Sequence, residues 1–291
     1  MKHLRVIECA PGLIAYYDGR VDGYRWAEGP NWVDDGAISL GIASYALVSE
    51  NKALIYDTHV SVEHAKFIRA DLEKRGITDF TVLLSHWHLD HVAGTEAFAD
   101  CEIISTEKTL AHLTAHRSGI EDGTFHGPPT IKPLILPSRT FNGEMDFQLG
   151  KRKLKFIERN IHSDDAAVVW IAEEGLLLAG DTMEDTITYV GEPEHFATHL
   201  ADLDRLWALN PDFIFPNHGD PEIINVGGYG KGLIKAQQQY IRMLQRCRTD
   251  AALRAKPLRE LISGPLEMGW VNYFAPYEEV HAQNLARVVG N

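Results

Sequence analysis

Four apolar runs in this sequence each stop at a histidine or an aspartate, and no other feature constrains the fold as strongly. Phe80-Thr81-Val82-Leu83-Leu84 runs through Ser85 into His86, and Leu154-Lys155-Phe156-Ile157-Glu158 passes through a short turn into Ile161-His162. Leu176-Leu177-Leu178-Ala179-Gly180 delivers Asp181, and Phe213-Ile214-Phe215-Pro216 delivers Asn217-His218-Gly219. Short runs rich in branched and aromatic side chains, bounded by turn residues, read as buried strands. A sheet that gathers these ends at one edge converges four candidate ligands on one place. Strand ends hold side chains rigidly, as a metal site requires.

The first end opens the segment His86-Trp87-His88-Leu89-Asp90-His91. His86 and His88 are two apart, so both can reach one ion from an extended turn, while Asp90 and His91 can serve a second. Imidazole nitrogen and carboxylate oxygen suit zinc and similar borderline ions. A Gly-Asp-Thr turn such as Gly180-Asp181-Thr182 is common by itself, because Asp stabilises turns. Its place between His162 and His218 is what draws attention to it.

The remaining pattern is mixed α/β. Strands are expected at residues 5–8, 13–17, 45–49 and 53–57, then at 153–158, 167–172, 176–179 and 213–215. A helix over 61–75, with Ser61 as N-cap and Gly76 as stop, precedes the strand at 80–84 and forms a βαβ unit. Further helices fit 106–116, 194–209, 233–248, 251–262 and 278–289. Residues 18–36 form a long loop carrying Trp26 and Trp32, readable equally as a pocket wall or as a packed surface loop. No boundary divides the chain. It is expected to form one domain over 1–291, with 233–291 as its helical C-terminal extension.

Composition narrows the function. Of 291 residues, 45% are hydrophobic and 24% charged, as in a soluble globular enzyme. The formal net charge of -13 repels polyanions, so neither nucleic acid nor an acidic membrane surface is an expected partner. The three cysteines are widely spaced and form no CxxC pair. The first eight residues carry charges where a signal peptide needs an apolar core. A cytoplasmic location is therefore expected, with a small-molecule substrate and a homodimer as a candidate assembly.

The series His86-Trp87-His88-Leu89-Asp90-His91, His162, Gly180-Asp181-Thr182 and Asn217-His218-Gly219 resembles the metallo-β-lactamase-fold hydrolases, over roughly residues 45–220. The resemblance implies an αββα four-layer sandwich with metals at one edge. It implies one ion held by His86, His88 and His162, a second by Asp90, His91 and His218, and Asp181 bridging the two. The cofactor implied is a pair of divalent ions, zinc in the first instance, with iron or manganese as alternatives. His88 stands where the iron flavoprotein branch has Glu, which favours zinc. The chain departs from the family after the third histidine, where Ser163-Asp164-Asp165 replaces a Gly-containing turn.

The activity implied is hydrolysis of a small ester-like substrate by a metal-bridging hydroxide, with a lactone preferred and thioester or β-lactam as alternatives. Asp90 is the candidate catalytic residue, able to ligate and to pass a proton to the leaving group. Tyr189, His195 and Trp26 are candidate substrate contacts. Two other classes share these ligands: a mononuclear iron dioxygenase acting on a thiol or persulfide, and a non-catalytic metal-binding sensor. The pairs His112/His116 and His195/His199 have helical i,i+4 spacing but lack the Glu of HExxH, and read as solvated helix faces. Gly227-Gly228-Tyr229-Gly230-Lys231-Gly232 lacks the spacing of a phosphate loop and reads as a helix entry.

Overall fold

The computed structural model describes residues 1–290. Among these residues twelve strands form two sheets. The first contains β1 (Arg5–Ala10), β2 (Leu13–Asp18), β3 (Ile42–Ser49), β4 (Lys52–Tyr56), β5 (Asp79–Leu83), β6 (Glu102–Thr106) and β7 (Arg139–Phe141), in that spatial order. The second contains β8 (Glu144–Leu149), β9 (Arg152–Glu158), β10 (Ala167–Ile171), β11 (Leu176–Gly180) and β12 (Phe213–Pro216), in the order β12-β11-β10-β9-β8. Pairing is antiparallel from β1 to β4 and parallel from β4 to β7.

Helix α1 (Val62–Lys74) makes the crossover between β4 and β5, and α2 (Leu89–Val92) is a single turn after β5. Helix α3 (Glu107–Asp122) follows β6, α4 (Phe196–Ala208) precedes β12, and α5 (Pro221–Asn225) follows it. The C-terminal segment is α6 (Gly232–Cys247), the short turns α7 (Ala251–Arg254), α8 (Leu258–Leu261) and α9 (Ser263–Glu267), and α10 (Tyr277–Gly290). None of the helices among the described residues is long and apolar enough to cross a membrane.

Alternation along the strands builds the layers. Tyr45 and Leu47 of β3, with Leu54 and Tyr56 of β4, join the core between the sheets. Ala46, Ala53 and Ile55 point the other way, onto Ala65, Ile68 and Leu72 of α1 and Leu113 of α3. The strands of the second sheet bury both faces, so β10 and β11 read as continuous apolar runs. Their outer face packs on Leu203 and Leu206 of α4 and on Ile241 and Leu244 of α6. The result is the αββα sandwich with helices at the C-terminus.

Several expectations need correction. The helix over 251–262 is two turns, because Pro257 lacks an N–H and holds an extended conformation at the start of α8. The helix begun at Thr106 runs on to Asp122 and ends at Gly123, whose φ of 79° suits a glycine stop. Strands β6, β7 and β8 were absent from the sequence expectation. β8 alternates Met145 and Phe147, packed on the core, with exposed Glu144, Asp146 and Gln148, a half-buried strand at the sheet edge.

The ligand-bearing strand ends also divide between two sheets. His86 follows β5 of the first sheet, whereas His162, Asp181 and His218 follow β9, β11 and β12 of the second. β10 runs opposite to both β9 and β11, and β11 runs parallel to β12, so these three strands end at a common edge. Buried tyrosines join the sheets there. Tyr17 O–H donates to Gly219 O (2.8 Å), Tyr45 O–H to Pro216 O (2.6 Å) and Tyr56 O–H to Ala167 O (2.6 Å). Backbone bonds add to this: Ala43 N–H donates to Asn217 O (2.8 Å) and Ala167 N–H to Ser85 O (2.7 Å). Burial pushes all three tyrosines well above the ordinary phenol range, so they stay protonated donors.

Candidate metal centre and cavity

Each strand end sets one side chain. β5 leaves His86 in a tight turn, and α2 begins at once, with His88 at its N-cap and Asp90 and His91 in its single turn. Beyond β9, His162 adopts φ 70°, the left-handed region in which a glycine is usual. The departure at Ser163-Asp164-Asp165 is thereby explained. His162 itself takes the positive φ, and the turn is anchored from its far side, with Thr109 O–H donating to Asp165 Oδ2 (2.8 Å) and Thr106 O–H to Asp165 O (3.0 Å). Gly180, φ 56°, ends β11. A Cβ there would meet Tyr56 Oη at 2.7 Å, so the strand approaches closely only with glycine.

The seven expected residues converge. His88 Nδ1 lies 2.9 Å from His86 Nε2 and 3.1 Å from His162 Nε2. His218 Nε2 lies 3.2 Å from Asp90 Oδ2, and His91 Nε2 lies 3.5 Å from the same oxygen. Asp181 Oδ2 sits between the two groups, 3.1 Å from His91, 3.4 Å from His218, and 3.7 Å from both His86 and His162. Three sets of donors are each close enough for one ion: His86, His88 and His162; His86, His91 and Asp181; Asp90, His91 and His218.

This donor chemistry fits divalent cations. Asp181 Oδ1 is buried and has no hydrogen-bond partner. The single lone pair of His88 Nδ1 cannot serve both neighbouring imidazoles, whereas a cation among the three nitrogens would satisfy all of them. Burial, reinforced by the neighbouring imidazoles, pushes His86 well below the ordinary range and His88 to about 3, so both offer neutral nitrogens. Burial alone would depress His91 and His218, but the carboxylates of Asp181 and Asp90 raise both well above it. His91 and His218 in turn hold Asp90 and Asp181 far below the usual carboxylate range, against the effect of burial.

A second set of residues orients the first. His91 Nδ1–H donates to Asp57 Oδ2 (2.9 Å), which also accepts from Asn217 Nδ2 (2.5 Å), while Asp57 Oδ1 accepts from Ser85 N–H (2.6 Å). His218 Nδ1–H donates to Gly41 O (2.7 Å), and His86 Nδ1 pairs with Ser85 Oγ (2.9 Å). Such partners select the tautomer and fix the ring. Sequence reading missed Asp57, although the apolar run at 53–56 before it is the signal that exposed the other four ends. Glu184, with Oε1 3.4 Å from His162 Nδ1, was also missed.

The cluster forms the floor of a cavity of about 600 Å³. Trp32, Trp87, Phe125 and Val280 line it, as do Asp90 and Tyr189. Tyr189 lies 5.6 Å from His162 and 6.5 Å from His88, ring to ring. Burial raises its phenol above the ordinary value, leaving an O–H donor at neutral pH.

Two expected contacts lie elsewhere. Trp26 packs over buried His64 (5.4 Å) in a separate small core, because Asp34 binds its backbone N–H (2.6 Å) and turns the loop inward. His195 pairs with Glu192 (2.9 Å) at the entry to α4 and does not line the cavity. The His112/His116 pair is not a solvated face either. Both rings stack near Trp87, at 5.1 and 4.9 Å, and His112 also binds Asp164 (2.7 Å), so together they brace a cavity wall. Gly232 opens α6 against Trp270, consistent with a helix entry.

The sequence profile of the metallo-beta-lactamase superfamily matches residues 39–218, which contain every donor just described, and the chain belongs to this family. A metallo-β-lactamase from Pontibacter korlensis has the same fold, with a TM-score of 0.62 at 16% identity, covering 82% of this chain and 99% of that one. Among curated relatives, a beta-lactamase-like protein 2 homolog of Caenorhabditis elegans is 24% identical over 210 residues, 70% of this chain and 66% of that protein. A linear primary-alkylsulfatase of a Pseudomonas species is 23% identical, over 58% of this chain and 39% of its own length. The matched region is thus less than two thirds of either relative.

Proposed function

We propose that the protein hydrolyses a small ester-like substrate, with a lactone the preferred class and thioesters or β-lactams next, using two divalent ions that are zinc in the first instance. One observation carries the reading: Asp181 Oδ2 lies within 3.1–3.7 Å of four histidine nitrogens from two donor groups, at the floor of a cavity lined in part by Trp32, Trp87, Phe125 and Tyr189. His86, His88 and His162 would hold one ion, Asp90, His91 and His218 the other, with Asp181 shared. Bound there, the ions lower the pKa of water toward neutrality and polarise a carbonyl.

The chain's own groups supply the rest. Asp90 lines the cavity and its side chain is partly open to it, so it can hold the proton that leaves the nucleophile and return it to the departing oxygen. Tyr189 can donate its O–H to the substrate carbonyl, and Trp32, Trp87 and Phe125 exclude water from the bond to be cleaved. The formal net charge of -13 supports a small substrate over nucleic acid. The alkylsulfatase relative places sulfate esters on the panel to be tested.

The test is turnover by the purified protein of lactone, thioester, β-lactam, sulfate-ester and phosphodiester panels, with metal content measured on the same preparation. Fastest turnover of lactones with two ions per chain is the expected result. Selective phosphodiester cleavage would overturn the substrate class. One iron per chain with oxygen uptake on a persulfide would overturn the hydrolase reading itself.

A further inference from the structure

The cavity wall contributed by α10 carries a cation that pairs with no carboxylate among the described residues. Arg287 lines the cavity from that helix, one turn beyond Gln283 and two beyond Val280. Its guanidinium carbon lies 4.4 Å above the ring of Tyr189, which in turn neighbours the rings of His162 and His88. Nη1 of Arg287 is buried and makes no hydrogen bond, and no carboxylate among the described residues pairs with the side chain. Apart from its histidines, the other ionisable side chains that line the cavity are acidic or phenolic, among them Asp34, Asp35, Glu184 and Glu279.

A guanidinium N–H that is shielded from water and left without an acceptor is unfavourable unless something supplies one. Contact with the tyrosine face orients the guanidinium but leaves N–H groups, which lie in the plane of the guanidinium itself, free to form bonds. A planar fork of donors matches a carboxylate bidentately. The position also sorts the substrate, because Tyr189 separates Arg287 from the histidines. The group that Arg287 receives is therefore distinct from the bond that is broken.

We propose that Arg287 is an anion subsite, and that the substrate is an ester or lactone bearing a carboxylate at the end remote from the scissile bond. The identity of the reacting end rests on the hydrolase reading; the carboxylate end rests on Arg287. The subsite lies on the C-terminal helix, outside the region that the family profile matches. The C-terminal helices thus determine specificity as well as packing against the second sheet.

The experiment compares 4-nitrophenyl monoesters of succinate, glutarate and adipate with the uncharged butyrate, valerate and hexanoate esters, in the metal-loaded wild type, Arg287→Gln and Arg287→Lys. The readout is the ratio of kcat/KM for the charged ester to that for its uncharged counterpart, at the best chain length. Arg287→Gln is expected to lower that ratio about tenfold to a hundredfold, mainly through KM, with Arg287→Lys in between. Binding of succinate, glutarate and adipate against butyrate, followed by tryptophan fluorescence, supplies a readout that needs no turnover. Loss of dicarboxylate binding in Arg287→Gln, with the protein still folded by circular dichroism, supports the subsite even if no ester is hydrolysed, which would sink only the hydrolase reading. An unchanged ratio together with unchanged dicarboxylate binding would overturn the proposal.

Discussion

Asp57 Oδ2 lies 2.9 Å from Nδ1 of His91, and Nε2 of the same ring faces Asp181 at 3.1 Å. The imidazole is thus held between a carboxylate that points into the metal centre and one buried behind it. Asp57→Asn keeps the shape but removes the charge that fixes the tautomer. It is expected to weaken metal binding about 10–100-fold. Competition with a chromophoric chelator measures this, and wild-type affinity in the variant would remove Asp57 from the orienting role.

Asp90 is both a donor within reach of His218 and a wall of the cavity. Asp90→Asn retains an oxygen but cannot hold a proton at neutral pH. A fall in kcat of roughly 10²–10⁴ is expected, with KM changed far less. Steady-state kinetics at matched metal occupancy decide it, and near-normal turnover would show that Asp90 handles no proton.

Gly180 illustrates how closely the sheets approach. Its φ is 56°, and a Cβ would meet Tyr56 Oη at 2.7 Å and Ser85 Cβ at 3.1 Å. Tyr56 and Ser85 both take part in contacts between the sheets, so neither can yield freely. Gly180→Ala is expected to cost about 1–3 kcal/mol of stability. Urea unfolding measures it, and a change below about 0.5 kcal/mol would mean the edge is more pliant than its contacts imply.

His199 gives a pH signature from a residue that is not itself one of the seven donors. Burial, with the nearby His195 and His162, lowers its pKa to about 4, and it pairs with Asn160 Oδ1 at 3.1 Å. A depressed pKa contributes stability that is present above the unfolded value of about 6.5 and is lost as pH falls toward about 4. In this window His199→Gln should reduce the slope of unfolding free energy against pH by up to about 1.4 kcal/mol per unit. Identical slopes in the two proteins would show that His199 does not titrate in this window.

Legibility in the sequence followed how local the cause was. Strand ends were readable because an apolar run and the polar residue that stops it are neighbours in the chain. His86, His162, Asp181 and His218 were read that way, and Asp57 lay in reach of the same logic, whereas His88, Asp90 and His91 were read from their spacing after His86. Helix 251–262 failed for a local reason too, since Pro257 outweighed the apolar spacing around it. Trp26 and Trp32, six residues apart in one loop, had no local feature to separate them. Only Trp32 lines the cavity, because Asp34 turns Trp26 toward His64.

The sequence by itself determined which side chains were available and how rigidly each would be delivered, because strand periodicity and turn chemistry act over a few residues. Tertiary structure decided which of them meet. Asp181 falls between the two donor groups only because β9, β11 and β12 end at an edge that Tyr17, Tyr45 and Tyr56 fasten to the first sheet. Arg287 reaches the cavity only because α10 folds back against Tyr189, about a hundred residues earlier in the chain. Distances between segments so far apart depend on how the layers pack, and no short-range pattern encodes that.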